Sequence, residues 1–91
     1  MNINWQYYQA PYAIEEIPHQ LQYLFSTEDP AEDIEYFLYN ELAPNIKHQY
    51  KIYNIIEPVI EVMEFNILKK GKIQYKVEIL NFLGYIFQEY I

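Results

Sequence analysis

Apolar residues recur at helical spacing in four stretches of the chain, and each stretch predicts one helix. The first begins near Ile17, where Pro18 suits the opening turn because a first-turn N–H has no helical partner to lose. We expect this helix to end around Ser26 or Thr27. The residues spaced to share its buried face are Ile17, Leu21, Leu24 and Phe25.

Residues 1–12 precede this helix and predict an irregular lead-in, because Pro11 interrupts any local helix. The segment is rich in aromatic side chains, and it would fray unless these packed against the rest of the protein. We therefore expect the rings to pack back on a single domain, which we place at residues 13–91. The rings are those of Trp5, Tyr7, Tyr8 and Tyr12.

The second helix has the clearest start signal in the chain. In Asp29-Pro30-Ala31-Glu32, an N-cap carboxylate, a proline and a glutamate at the third helical position form the pattern of a capping box. Acidic residues there also face the positive end of the helix dipole. We expect a helix over residues 29–43, ended by Pro44. Its predicted buried stripe consists of Ile34, Phe37, Leu38 and Leu42.

The face opposite that stripe is acidic and carries tyrosines. With about 100° of rotation per residue, six residues fall on this outer face or at its edge. Glu41 falls instead close to the apolar stripe, so it needs a partner such as Lys47, or an interface. A run of carboxylates on a helix is typical of a solvated surface, and it also suits contact with a basic protein. The six residues are Glu28, Glu32, Asp33, Glu35, Tyr36 and Tyr39.

A third helix is predicted over about residues 52–65. Pro58 lies inside this range, so we expect either a kink there or a helix start near Glu57. Residues 69–71 then form a turn, in which Gly71 suits a left-handed cap.

The fourth helix is predicted over about residues 72–90. Its first half also alternates like a strand, but the apolar pattern continues for about 18 residues, which is too long for an ordinary strand. Four helices joined by short turns predict an all-α fold of two antiparallel helical hairpins. The residues expected to be buried on the last helix are Ile73, Val77, Leu80, Leu83, Ile86, Phe87 and Tyr90.

Charge is divided unevenly along the 91 residues. Residues 1–46 carry eight carboxylates and no Lys or Arg, a charge of −8, whereas residues 47–91 carry +1. The acidity and the absence of Arg disfavour nucleic acid as a partner, because its phosphates would be repelled. No apolar stretch is long enough to span a membrane and no signal peptide is evident, so we expect a cytoplasmic protein without membrane contact.

The residues that could perform chemistry are few. The chain has no Cys, and Ser26 has no obvious histidine and acid arranged as a triad. His19 and His48 lack the spacing of a zinc site, and the two glycines do not form a phosphate-binding loop. We therefore expect no enzyme activity, no metal and no cofactor.

Two short motifs have a recognisable order and spacing. The upstream motif is an Ile-Pro pair followed by Leu-x-x-Leu-x-Ser, and the downstream motif is His-Gln, an aromatic residue and a proline. Together they resemble the opening repeats of bacterial HEAT-like helical proteins, over about residues 14–87. The residues that match are Ile17, Pro18, Leu21, Leu24, Ser26, His48, Gln49, Tyr53 and Pro58.

The resemblance implies a HEAT-like fold in which His48, Gln49 and Pro58 organise the turn between the hairpins and the packing of the third helix. Tyr50 stands where such proteins have Gly. Small acidic helical proteins of this type occur as immunity partners in bacterial toxin systems, so the resemblance suggests that role. It implies no catalytic residues.

These observations favour a protein-binding module. The leading hypothesis is an immunity-type inhibitor that binds a basic toxin or effector through the six residues of the acidic face. The first alternative is a HEAT-like structural or regulatory adaptor that forms a homodimer, because two hairpins alone can leave an apolar flank uncovered. The second is a phage-encoded mimic of nucleic acid that blocks a defence nuclease.

Overall fold

The computed structural model describes residues 3–69 and 73–88, and these form a mostly helical structure. Its four α-helices are α1 (Ile17–Ser26), α2 (Ala31–Phe37), α3 (Ile56–Met63) and α4 (Ile73–Phe87). Between α2 and α3 lies a two-stranded antiparallel sheet of β1 (Lys47–His48) and β2 (Lys51–Ile52). The four helices match the prediction, whereas the sheet was not predicted.

One apolar core joins all four helices. α2 packs against α4 and α1 against α3, and residues Glu64–Leu68, which continue α3, also pack against α4. Residues that are at most 2% exposed make up the centre of the core: Ile17, Leu21, Leu24, Ile34, Leu38, Leu42, Ile46, Ile55, Val59, Met63, Ile79, Phe82 and Ile86.

The predicted ends of two helices are close to those observed. α1 spans Ile17–Ser26 as expected. α3 begins at Ile56, which agrees with a start near Glu57 rather than a kink, and Pro58 lies buried in its first turn, where a missing N–H costs no helical bond. The predicted turn and cap at Gly71, and Tyr90, lie outside the described residues.

The lead-in is docked on the domain. The rings of Trp5 and Tyr8 pack against the core as expected, but Tyr7 and Tyr12 are 81% and 59% exposed. Two hydrogen bonds tie the segment to the start of α3: the Gln9 N–H donates to Asn54 Oδ1 (2.7 Å), and the Ile55 N–H donates to the Gln9 carbonyl (3.2 Å).

The capping-box prediction for α2 is wrong. The helix begins at Ala31, Pro30 is its N-cap, and no side chain caps it. The carboxylate of Asp29 instead accepts a hydrogen bond from the Tyr23 hydroxyl, with 2.6 Å between Oη and Oδ2. The Tyr75 hydroxyl donates to the Asp29 carbonyl oxygen (2.5 Å). Tyrosines from α1 and α4 thus hold the α1–α2 loop. Their hydrogen bonds to Asp29 take the place of the predicted side-chain cap of α2.

Helices α2 and α3 both continue into a single wide π turn. These turns are Leu38–Leu42 and Glu64–Leu68. In each, an asparagine side chain donates to the carbonyl four residues earlier: Asn40 to that of Tyr36 and Asn66 to that of Val62, both at 3.0 Å. A side-chain amide that competes for this carbonyl favours the wider backbone turn.

The predicted buried face of α4 is partly wrong. Ile73, Val77 and Leu80 are 77%, 50% and 58% exposed. The helix is apolar on two sides. The side that enters the core carries the aromatic rings of Tyr75 and Phe82, whereas the exposed side carries aliphatic side chains. The residues of α4 that are fully buried there are Tyr75, Ile79, Phe82 and Ile86, of which only Ile86 was predicted. Leu83 and Phe87, which were also predicted, are partly buried and pack against this core.

Candidate functional site

The acidic residues predicted to face outward do so. Glu32, Asp33 and Glu35 are exposed on α2, Glu28 is exposed on the preceding loop, and Tyr36 is 65% exposed. With Tyr39, these are the residues that we call the acidic face. A shallow depression of about 380 Å³ lies on it, lined by Glu32, Glu35, Tyr36, Tyr39 and Asn40.

Tyr39 is a wall of this depression and not a projecting side chain. It is half-buried, and its ring centroid lies 5.9 Å from that of Phe82 and 5.0 Å from that of Tyr85. Burial raises the pKa of Tyr39, and the negative charges of Glu78 and Glu35 raise it further. Because Tyr39 lies in the π turn, the α-helical spacing did not predict this inward position.

Glu41 is exposed to solvent, so the partner predicted for it is not needed. Its carbonyl oxygen accepts a hydrogen bond from Gln20 Nε2 (3.1 Å), and Gln20 Oε1 accepts one from buried Asn45 (3.1 Å). These bonds connect α1 with the end of the second helical segment. The backbone that carries the acidic face is therefore fixed to α1 by these bonds and to α4 by the contact between Tyr39 and Phe82.

A second depression of about 520 Å³ lies beside the β-hairpin, and Tyr39 is shared by the two depressions. Unlike the acidic face, it contains basic side chains among aromatic rings. We call it the tyrosine groove. It is lined by Tyr12, Tyr39, Ala43, Pro44, Lys47, His48, Gln49, Tyr50 and Tyr85.

The contacts in the tyrosine groove are specific. The Tyr12 hydroxyl lies 3.1 Å from His48 Nδ1, and the two rings meet edge to face at 5.2 Å between centroids. Lys47 Nζ is buried 4.6 Å from the centroid of the Tyr85 ring, a cation–π distance. His48 is therefore positioned by Tyr12, which sequence reasoning placed only in the lead-in.

The turn at His48 and Gln49 is the tip of the β-hairpin. Gln49 and Tyr50 form its two-residue loop, with φ of +50° and +69°. Two-residue hairpin loops of the type that needs positive φ at both positions favour Asn-Gly, so a tyrosine there is strained. The side chain of Tyr50 is 84% exposed.

The structure places the residues that were considered for catalysis and for metal binding. The Ser26 hydroxyl donates to the Gln22 carbonyl of its own helix (2.8 Å), not to a histidine. Within residues 3–69 and 73–88, no group of three or more His, Asp or Glu side chains is placed to hold a metal ion. No helix in the same ranges has the length and apolar content to cross a membrane.

Comparison of the chain with protein-family models, with curated proteins and with solved structures finds no match. What the chain does therefore has to be inferred from its own surface.

Proposed function

We propose that this chain is a protein-binding module of the HEAT-like, immunity-inhibitor type, and that its acidic face binds a basic toxin or effector. The observation that carries the proposal is the depression in which Glu32 and Glu35 stand beside exposed Tyr36. Residues 1–46 contain no Lys or Arg that could neutralise these carboxylates from within the same half of the chain. Binding without catalysis is part of the proposal.

The physical roles of these residues differ. Carboxylates grouped on one surface raise the rate at which a basic partner arrives, and that effect weakens as salt is added. Tyr36 supplies a large exposed ring of the kind that anchors interfaces. Tyr39 is already packed against Phe82 and Tyr85, so it shapes the depression without having to be ordered on binding.

The test measures association with the protein encoded by the adjacent gene, at low and at high salt. We expect Glu32→Gln with Glu35→Gln to slow association at least tenfold at low salt and to remove most of its salt dependence. The matched control is Glu57→Gln with Glu61→Gln, which removes the same charge from exposed positions of α3. Equal slowing by the two pairs would show that only net charge matters and would overturn the assignment of the face.

A separate observation favours a second function, a HEAT-like adaptor that forms a homodimer. Three large apolar side chains of α4 are exposed, namely Ile73, Val77 and Leu80. None of them belongs to the acidic face, so a dimer and an inhibitor are compatible roles for one chain.

A further inference from the structure

Helix α4 carries an uncovered apolar stripe, which we define as Ile73, Val77, Leu80 and Gly84. The spacing of these residues is four, three and four, which is the spacing of the core positions in a coiled coil. The three large side chains are at least half exposed. A methyl group built on Gly84 would meet no heavy atom within 4 Å, so space is open above that position too.

The stripe is not the margin of the core. At about 100° per residue, its residues lie on the side of α4 opposite Tyr75, Ile79 and Phe82, which are buried. Contiguous exposed apolar side chains on a folded domain mark a contact surface more often than single ones do. α4 is therefore built to pack on two sides, and the described part of the chain covers only one of them.

Resting on the second proposed function, the homodimer, we propose that the apolar stripe binds the same stripe of a second copy of this chain, with the two α4 helices antiparallel. The two-fold axis passes between Val77 and Leu80. Ile73 of each copy then lies over Gly84 of the other, and Val77 lies against Leu80 of the other.

Side-chain size supports the antiparallel arrangement. It places Ile73, the most exposed side chain of the stripe, over Gly84, which has no side chain, and it places Val77 against Leu80, so every layer combines a larger with a smaller residue. A parallel pair would instead stack Gly84 on Gly84 and leave a gap, and gaps in a helix interface lose contact energy. The stripe is therefore complementary to itself in one direction only.

The local charge of the stripe is compatible with a second copy as the occupant. Two copies with a net charge of −7 each repel one another, and this repulsion is weakest where they meet on a face without carboxylates. The residues flanking the stripe include Lys76, Asn81 and Leu83, and none of these is acidic. Glu78 lies instead on the side of α4 where its charge raises the pKa of Tyr39. A basic partner, by contrast, would find no carboxylate on the stripe.

The first test is sedimentation equilibrium of the intact chain and of Leu80→Glu. We expect the wild type to sediment as a dimer of the 11.1 kDa chain, and Leu80→Glu to halve the weight-average mass. The control, Gln22→Glu, adds the same charge at an exposed position of α1 and should leave the dimer intact. Leu80 is 58% exposed, so the variant keeps its fold, which circular dichroism checks. A monomeric wild type, or a dimer that survives Leu80→Glu, overturns the proposal.

A second variant separates packing from charge. Gly84→Leu adds bulk where Ile73 of the second copy should lie, while the open space at Gly84 leaves the monomer undisturbed. We expect this variant to be monomeric with unchanged helix content. A Gly84→Leu chain that dimerises as tightly as the wild type overturns the proposed layers.

Cross-linking tests the direction, and the chain is suited to it because it has no cysteine of its own. In the antiparallel pair, residue 84 of one copy is about 16 Å along the axis from residue 84 of the other, too far for a disulfide. We expect an equimolar mixture of Ile73→Cys and Gly84→Cys chains to form the mixed disulfide. Efficient cross-linking of Gly84→Cys with itself indicates a parallel pair and overturns the arrangement.

Discussion

The outer faces of α2 and α4 are both exposed, and they differ in how they can act. The face of α2 presents carboxylates around Tyr36, and such charges attract a partner over about 8–10 Å at physiological salt. The face of α4 presents Ile73, Val77 and Leu80, which gain free energy only on contact, when water is excluded. In the proposed complexes, the first face would therefore set the association rate of a partner and the second its dissociation rate.

The two sides of α4 provide the largest contrast in stability. Phe82→Ala removes a fully buried ring, so we expect it to lower the free energy of unfolding by about 3–5 kcal/mol. Leu80→Ala, on the exposed side, should change it by less than about 0.5 kcal/mol when the chain is monomeric. Urea denaturation at low protein concentration measures both values. Comparable losses for the two variants would mean that the stripe is buried within the monomer.

Salt should separate the two faces functionally. Raising the ionic strength should slow association with a basic partner about tenfold or more, because it screens the carboxylates of α2. The proposed dimer of α4 should become no weaker, since it buries apolar surface and the net negative charge of each copy is screened. Stopped-flow mixing measures the first effect and sedimentation the second. A dimer that dissociates with added salt would point to ion pairs instead of the stripe.

The hydrogen bond between Tyr23 and Asp29 makes the free energy of unfolding depend on pH. This bond is the main cause that raises the pKa of Tyr23 above its ordinary value of 10.0. Because the raised value belongs to the folded state, the stabilisation is present below about pH 10 and is lost as the pH rises through the folded pKa. Tyr23→Phe should lower the free energy of unfolding by about 1 kcal/mol at neutral pH and reduce its fall in alkali.

The control for that variant is Tyr7→Phe, because Tyr7 is 81% exposed. It should change neither the stability at neutral pH nor the alkaline slope. An equal alkaline slope for wild type and Tyr23→Phe would contradict the role given to the bond with Asp29.

The smallest expected effect is a gain at Gly84. Gly84→Ala should raise the free energy of unfolding of the monomer by about 0.5–1 kcal/mol, because alanine favours the helix and the added methyl group meets open space. Thermal or urea denaturation of the monomer measures it. A loss of stability would show that something occupies the space above Gly84.

The two helices also show which parts of the structure can be predicted from the sequence. The exposure of charged residues such as Glu32 and Glu35 can be predicted from the sequence, because burying an unpaired carboxylate is costly. The burial of an apolar residue cannot be predicted from its type in the same way. On α4, Val77 and Leu80 fit the helical period as well as Ile79 and Phe82 do, and only packing against α2 decides which series enters the core.

Other features depended on tertiary contacts or on a pattern that was overlooked. The capping signal at Asp29 was not realised, because Asp29 instead accepts hydrogen bonds from Tyr23 of α1 and from Tyr75, which is 46 residues away in the sequence. The π turns had a visible signal, since both stretches share Ile-Glu followed, after three intervening residues, by an aromatic residue and asparagine. The shared residues are Ile34, Glu35, Tyr39 and Asn40 in the first stretch and Ile60, Glu61, Phe65 and Asn66 in the second.

The π turns have a consequence for how this chain can change in length. A π turn holds one residue more than the α turn that it replaces, so each of the two turns amounts to a one-residue insertion in a regular helix. Deleting Asn40 or Asn66 would remove that residue together with the side chain that occupies the carbonyl of Tyr36 or Val62. The helix could then close into α register, whereas a deletion within α1 would rotate the core residues that follow it in that helix by about 100°. The helices of this protein can therefore lose single residues during evolution at these two places without losing their continuity.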